Sequence, residues 1–593
     1  MPISRRRVLG PAVALSALLL VGGSGSRSEA ARPAGVRLLP EKTALMVSVA
    51  DCPELGRRFM NTALGRMSQD PQVSPLVQQF YSSLTEVVAG FREQIGLSLA
   101  DLVAVPQGEF TLAVVTPDEG PPQAVILLDT GSQSGNARIL VLRLGEALEK
   151  SGARKSQETI AGAAATVYDG LGSQNRRILL LEKDSTLVAA TGADVVAQVL
   201  AVWNGASGRT LNENPKFAAI MRRCRGAKGE EPQVIWYADP ISLMRAIGQQ
   251  NAGVQLAVAF LPTLGLDGLL AVGGTMTFDA GAFDSISQAH VLIENPRSGV
   301  LDAIALEPTD TSPEPWVPNE VVSYTTFRWN FLRSYKAVEK LYDSIRGDGA
   351  LAREIERLIQ APTGVDFAKQ VLPSLDGRVT YVSWIERPIT PFSQGMLIAF
   401  KLKDVTVARR ALETAYSTNQ GAMVRQSLSG KDYYQAGLGR ESRGRPPGAP
   451  PPPQPCFGIL DDYLVFANRR GLYERAIQVA GLPAESLATA LEYKVVASKV
   501  GRQAGSKKPG MISFSRPEES LRFFYELAAA EQTREQIKKR AESTPFFKPL
   551  NAALEAHPLP PFEVLQRYLA PGGTVIVDDE TGLHYTAFAL RRK

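Results

Sequence analysis

Histidine is the side chain most often used to move protons in catalysis, and this chain of 593 residues holds three. His290 lies in the alternating run SISQAHVLIE and His584 in GLHYTAFAL, both strand-like, while His557 stands in a loop before Pro558. None has a partner at metal-ligand spacing, because HExxH, CxxC and HxH are all missing. They read as sheet-face and loop histidines that do not occupy matching positions. Cys52, Cys224 and Cys456 read as small buried apolar residues, and their odd number leaves one free or paired between chains. The phosphate-cradling GxxxxGK[ST] is absent, since Gly430-Lys431 is followed by Asp432. Neither GxGxxG nor GxSxG occurs. Gly273-Gly274 and Gly572-Gly573 read as bulges or tight turns beside strands. Asp461-Asp462 and Asp578-Asp579-Glu580 read as hairpin turns, where aspartate suits the backbone. No catalytic residue, metal or cofactor is implied.

The polar feature that recurs is basic. RRCRGAKG (Arg222–Gly229) and SKVGRQAGSKKPG (Ser498–Gly510) each precede a short strand between prolines, PQVIWYADP and PGMISFSRP. Arg222, Arg223, Arg225 and Lys228, with Lys499, Arg502, Lys507 and Lys508, are therefore candidate anion-facing groups on two loops. An anionic envelope component or another envelope protein would be the partner; a solvated charged turn is the ordinary alternative. A net charge of +5, from 65 basic and 60 acidic groups, is too small to argue for nucleic acid. Aromatic residues do not interleave with these charges, which points the same way.

The elements that position these loops come twice. LLPEKT at Leu38 is answered by WVPNEV at Trp316, VPQGEFTLAVV by LPSLDGRVTYVSW, ETIAGAAATVYDGLG by QSLSGKDYYQAGLG, and STLVAAT by DYLVFAN. The proline-flanked strands follow, then LAVGGTMTFD and LAPGGTVIVD. Matching segments in one order imply a duplication. The second copy adds a proline-rich run, residues 440–455, which lacks backbone donors and reads as an extruded loop. It also adds a charged helix within residues 528–550. Strands arrive in hairpin pairs separated by helices, without regular βαβ alternation. The expected fold is α+β, two tandem pseudo-repeats over residues 36–308 and 316–593, each a mainly antiparallel sheet covered by helices.

Arg5-Arg6-Arg7, the apolar run Val13–Val21 and Ser28-Glu29-Ala30 follow the order of an export signal over residues 1–30. The run is too short for a membrane span, and Ser-Arg-Arg-x-apolar-Leu is also the twin-arginine pattern. No later stretch is apolar enough to span a bilayer; Val254–Leu264 is too short and contains Pro262. A periplasmic or secreted protein is expected, by the general or the twin-arginine route.

The lead-in Leu39-Pro40-Glu41-Lys42-Thr43, then Leu55, Phe59, Thr62, Gly65, Met67, Asp70-Pro71 and Gly108 resemble a bacterial family of exported proteins of unknown function. The resemblance implies export and an α+β repeat and brings no activity or catalytic residue. The second copy departs from it, having no counterpart of Asp70-Pro71. The resulting expectation is a non-enzymatic envelope protein with a binding or scaffold role. The alternative is an exported hydrolase with an Asp/Glu-based site in a cleft between the repeats; a broad open sheet face would count against it.

Overall fold

The computed structural model describes residues 32–87, 104–131, 134–171, 176–225, 231–249, 251–419, 421–436, 454–544 and 547–592. Lys228, most of the proline-rich run and the export signal lie outside them. The fold is α+β, built on one large antiparallel sheet.

The strands in chain order are β1 (Thr43–Val49), β2 (Phe110–Val115), β3 (Gln123–Asp129), β4 (Arg154–Ile160), β5 (Ala163–Leu171), β6 (Arg176–Lys183) and β7 (Thr186–Ala190). Then come β8 (Val234–Ala238), β9 (Leu269–Ala280), β10 (Phe283–Ile293), the two-residue β11 (Leu306–Glu307), β12 (Ser323–Trp329), β13 (Leu375–Ile385) and β14 (Gln394–Leu402). The last are β15 (Met423–Leu428), β16 (Lys431–Ala436), β17 (Cys456–Leu460), β18 (Tyr463–Ala467), β19 (Met511–Ser515), β20 (Gly572–Asp579) and β21 (Gly582–Leu590).

Their pairing gives the spatial order β4-β5-β6-β7-β3-β2-β1-β8-β9-β10, which continues through β10–β21 into β21-β20-β19-β12-β13-β14-β18-β17-β16-β15. Read outward from the β10–β21 seam, both arms use their strands in the same sequence, down to the proline-flanked β8 beside β1 and β19 beside β12.

Local sequence explains the punctuation. Pro240 and Pro517 open helices Pro240–Gly248 and Pro517–Ala529, where a missing N–H costs nothing, and Asp239 caps the first of these by accepting from the Ser242 N–H at 2.9 Å. Thus the second proline of each motif starts the next helix rather than ending a loop. Alternation does the rest. In β10 the burial follows every second residue, and the same period runs through β9, β12, β14 and β20.

On one face of the sheet helix Cys52–Met60 packs on Val234 and Phe278, and helix Ser134–Lys150 packs near Leu128 at the outer end of the first arm. Helices cover the opposite face along both arms. Helices Ala193–Trp203 and Pro215–Arg223 lie over one arm, with Val199, Leu200 and Ile220 among its fully buried side chains. Arg470–Ala480 and Leu491–Ala504 lie over the other, whose core takes in Phe283 and Ile286 from across the seam. A third cluster joins distant parts of the chain: Ala63, Met67 and Val73 pack with Phe562, Leu565 and Leu569. Beside it Asp70 accepts from the Tyr568 hydroxyl at 2.6 Å and pairs with Arg567, which gives Asp70-Pro71 a structural role.

Gly273 and Gly573 form neither a bulge nor a turn. A Cβ on Gly273 would lie 3.1 Å from Ile220 Cγ2, and one on Gly573 2.6 Å from Val496 Cγ1, so each lets a covering helix approach the sheet. The added charged segment is helical over Glu531–Ser543, with a further helix at Phe547–Ala556. Among the described residues no helix is long and apolar enough to cross a membrane.

Candidate functional site

Three of the basic candidates, Arg223, Lys499 and Lys507, meet residues of the seam, and they are not all in loops. Arg222 and Arg223 end helix Pro215–Arg223, followed by Arg225, while Lys499 and Arg502 lie within helix Leu491–Ala504; only Lys507 and Lys508 are in the connection to β19. Gly501 does not stop that helix, which runs on to Gly505. Arg223 from one arm and Lys507 from the other both bind Asp579 at the end of β20, Lys507 at 2.8 Å. Its neighbour Asp578 is held by Arg297, at 3.0 Å through Nη1, and accepts from the Leu306 N–H at 3.0 Å. Burial works to raise the Asp579 carboxyl. Hydrogen bonds from Lys507 and Thr581 and the Arg223 charge outweigh it and hold the group far below the usual carboxylate range.

Two of the charges expected to meet an external anion, Arg223 and Lys507, thus meet an internal carboxylate. Lys499 lies 5.4 Å over the Phe283 ring, and Arg502 reaches Ser498 Oγ at 3.3 Å. Arg222, Arg225 and Lys508 are left exposed.

Beneath Arg223 the seam holds a pair that sequence reading missed. His290 in β10 stands directly opposite His584 in β21, with ring centroids 5.8 Å apart. His290 is fully buried, and neither of its ring nitrogens has a hydrogen-bond partner; Thr586 Oγ1 lies 3.5 Å from His584 Nε2. Burial, then the Arg223 charge and the neighbouring His290, push the His584 imidazole down to about 4. Burial and Arg223 lower His290 as well. Two neutral imidazoles side by side could offer nitrogens to a metal. Among the described residues, however, no group of three or more His, Cys, Asp or Glu side chains is placed to hold one. Only the β10–β21 register brings these histidines together, and no spacing along the chain signals it.

The cysteines are buried and unbridged, with Cys52 and Cys224 pushed up by burial to about 12 and Cys456 to about 11, so none is poised as a thiolate.

At the seam the two arms meet as paired strands, over Phe283–Leu292 and Gly582–Leu590. The face opposite the one covered along both arms carries a second feature between the helices at its flanks. Following the register from β8 to β18, one row reads Val234, Met276, Ser287, Ala587, Thr574, Ser513, Thr325, Tyr381, Ile398, Phe466. Every one of these side chains is at least partly exposed, and none is charged. The neighbouring row from Phe278 to Met396 passes through Ser285, Ala589, Gly572, Ser515, Ser323 and Ser383 and is also uncharged. Small residues occupy the middle of both rows, with Met276 and Phe278 on one flank and Tyr381, Ile398, Met396 and Phe466 on the other. Four of its hydroxyls pair with one another: Ser323 and Ser383 lie 2.6 Å apart, and Thr325 donates to Ser513 at 2.9 Å. The surface is a shallow uncharged trough crossing the seam.

Comparison with curated proteins and with solved structures found no match to this chain. A protein-family profile described as "Protein of unknown function (DUF3352)" matches residues 338–536, the stretch from within helix Phe331–Arg346 to within helix Glu531–Ser543.

Proposed function

We propose that this is an exported, non-enzymatic protein of the cell envelope, made of two duplicated units over residues 36–308 and 316–593, with a binding or scaffold role exercised by the trough. The N-terminal order of arginines, apolar run and small residues supports export to the periplasm or beyond. Duplication is supported by the common pairing order of the two arms and by the matching place of the proline-flanked strands.

The observation that carries the binding role is the uncharged, partly exposed face running across both units. The large side chains at its flanks, Met276, Tyr381, Ile398, Met396 and Phe466, are at least partly exposed, and exposed apolar surface of this kind marks interaction sites. The carboxylates at the seam support the same reading over hydrolysis: Asp578 is locked to Arg297 of the first unit and Asp579 to a cation of each, Arg223 and Lys507, where a glycosidase keeps two carboxyls free to act on substrate.

The test is purification from the native envelope followed by mass spectrometry of what remains bound. One apolar component at about one per chain is expected, lost on Ser513→Glu with Ala587→Glu while the melting curve is retained. Release of a stoichiometric component that is indifferent to both substitutions, or recovery of none, overturns the role of this face.

A further inference from the structure

A second concavity lies at the outer end of the first arm, apart from the trough. Helix Ser134–Lys150 crosses β4, β5 and β6 and leaves a groove of about 330 Å³ between itself and the sheet. Its floor is Ala164, Thr166 and Leu180, and its wall is Val141 and Leu142. Arg138 and Lys155 stand at its rim, with Glu182. Arg138 is exposed and makes no ion pair among the described residues; Lys155 lies 3.5 Å from Glu149 and 6.0 Å over the Tyr168 ring.

The corresponding place in the second arm is filled. There helix Val405–Thr418 packs on β16 and β17. The cross-strand pair Thr166–Leu180 has its counterpart in Tyr434–Phe457, each the pair that joins the second strand of the hairpin to the next. Tyr434 stacks on Phe457 with centroids 5.7 Å apart and meets Tyr416 from the helix at 5.1 Å. Two aromatic rings therefore stand where the first arm has a threonine and a leucine. The groove follows from those side chains and not from the backbone arrangement, which can be built without it.

We propose that the groove binds an amphiphile, one aliphatic chain bearing an anionic carboxylate or phosphate head. Val141, Leu142, Ala164 and Leu180 take the chain, beside Thr166, whose hydroxyl accepts from Gln157 at 2.9 Å, and a cavity of this size lies at the lower end of the range for small-molecule sites. Arg138 and Lys155 take the head, which sits at the rim where it stays partly hydrated. Glu182, also at the rim, disfavours a second negative charge there and sets the head towards the two cations. This site stands on its own observations and does not rest on the function proposed for the trough.

The experiment is calorimetric titration of the full mature chain, below micelle formation, with dodecanoate, with a lysophosphatidylglycerol carrying a twelve-carbon chain and with dodecanol. One site per chain is expected for at least one of the two anionic probes; preference between them tells a free fatty acid from a lipid head. Thr166→Tyr with Leu180→Phe, which installs the pair found in the second arm, is expected to weaken binding at least tenfold. Arg138→Ala with Lys155→Ala is expected to weaken the anionic probes about tenfold and dodecanol hardly at all, a readout that does not depend on the filled variant folding. Absence of binding by both anionic probes, or equal binding by the filled variant, overturns the proposal. Binding that survives filling but is lost on Ser513→Glu with Ala587→Glu moves the amphiphile to the trough and overturns it too.

Discussion

The two arms anchor their lead-in segments through the same contact with its charges exchanged. In the first, Arg32 comes down on the sheet and its guanidinium meets Glu109 at 3.0 Å and Asp129 at 2.9 Å, with Ser48 and Thr111 paired at 2.8 Å alongside. In the second, Glu314 comes down and meets Arg378 at 2.9 Å, with Thr326 and Thr380 in the places of Ser48 and Thr111. Even the third charge is inverted: Lys401 holds the register position of Asp129, opposite the first residue of the following strand. Both central pairs are nearly closed to solvent, with side-chain exposures of 1% and 8% in one and 6% and 2% in the other. The fold thus requires a buried cation–anion contact between lead-in and sheet, while the sign at each end is free. Burying two charges is costly unless each is paired, so polarity can reverse only if all members change together.

That comparison can be broken first at Glu109. Glu109→Ala strands Arg32 beside a single carboxylate and is expected to cost about 3–5 kcal/mol in urea unfolding. Exchanging the set, Arg32→Glu with Glu109→Arg and Asp129→Lys, should recover most of that loss. A triple variant as unstable as the single one would show that sign matters after all.

The seam sharpens it next. The register places His290 and His584 on one side of the central Gln288–Thr586 pair and Ile286 and Phe588 on the other, so the same setting is polar once and apolar once. Because the His584 imidazole is pushed down to about 4 from an ordinary 6.5, the unfolded chain binds more protons between those values. Its contribution is complete above pH 6.5 and is lost as the pH falls to about 4, a loss of about 3 kcal/mol. Melting curves across that window should flatten in His290→Phe with His584→Ile, which copies the apolar side.

Gly573→Ala drives a methyl into Val496 and is expected to cost about 1–3 kcal/mol by the same unfolding measurement. Smallest is Lys507→Ala. This half-exposed partner of Asp579 is worth at most about 1 kcal/mol, shrinking further with added salt, since Arg223 remains.

The strands were legible because alternation is local: Phe110, Leu112 and Val114, or the proline-bounded Met511–Ser515, announce themselves within a few residues. Capping explains the second prolines as well. What joins distant stretches was not legible. Glu109 and Arg378 follow the matched glycines Gly108 and Gly377 and look like a plain mismatch until Arg32 and Glu314 are seen above them. Arg32 and Glu314 also fall outside the unit limits expected at residues 36 and 316, although each is buried against the sheet. The basic runs recur in the sequence, yet nothing near Arg223 and Lys507 names Asp579 as their common partner. Lys499 and Arg502 read as loop residues because they stand in a glycine-containing basic run before the proline-flanked strand, yet helix Leu491–Ala504 includes both. The trough escaped because its residues are unremarkable singly and acquire meaning only in register.

The outermost strands and the innermost ones are finished differently. β4 carries Arg154, Lys155 and Glu158 along a largely exposed edge, whereas β10 and β21 bring long, mostly uncharged runs to the seam and satisfy one another's backbone groups. Charge is how natural sheets discourage unwanted neighbours at an open edge. Cutting this polypeptide near residue 310 would therefore free two sticky borders that lack any such guard. Each separated piece would be driven to recruit a twin across the vacated line, so severed fragments should reassemble, like with like or first with second, instead of staying single.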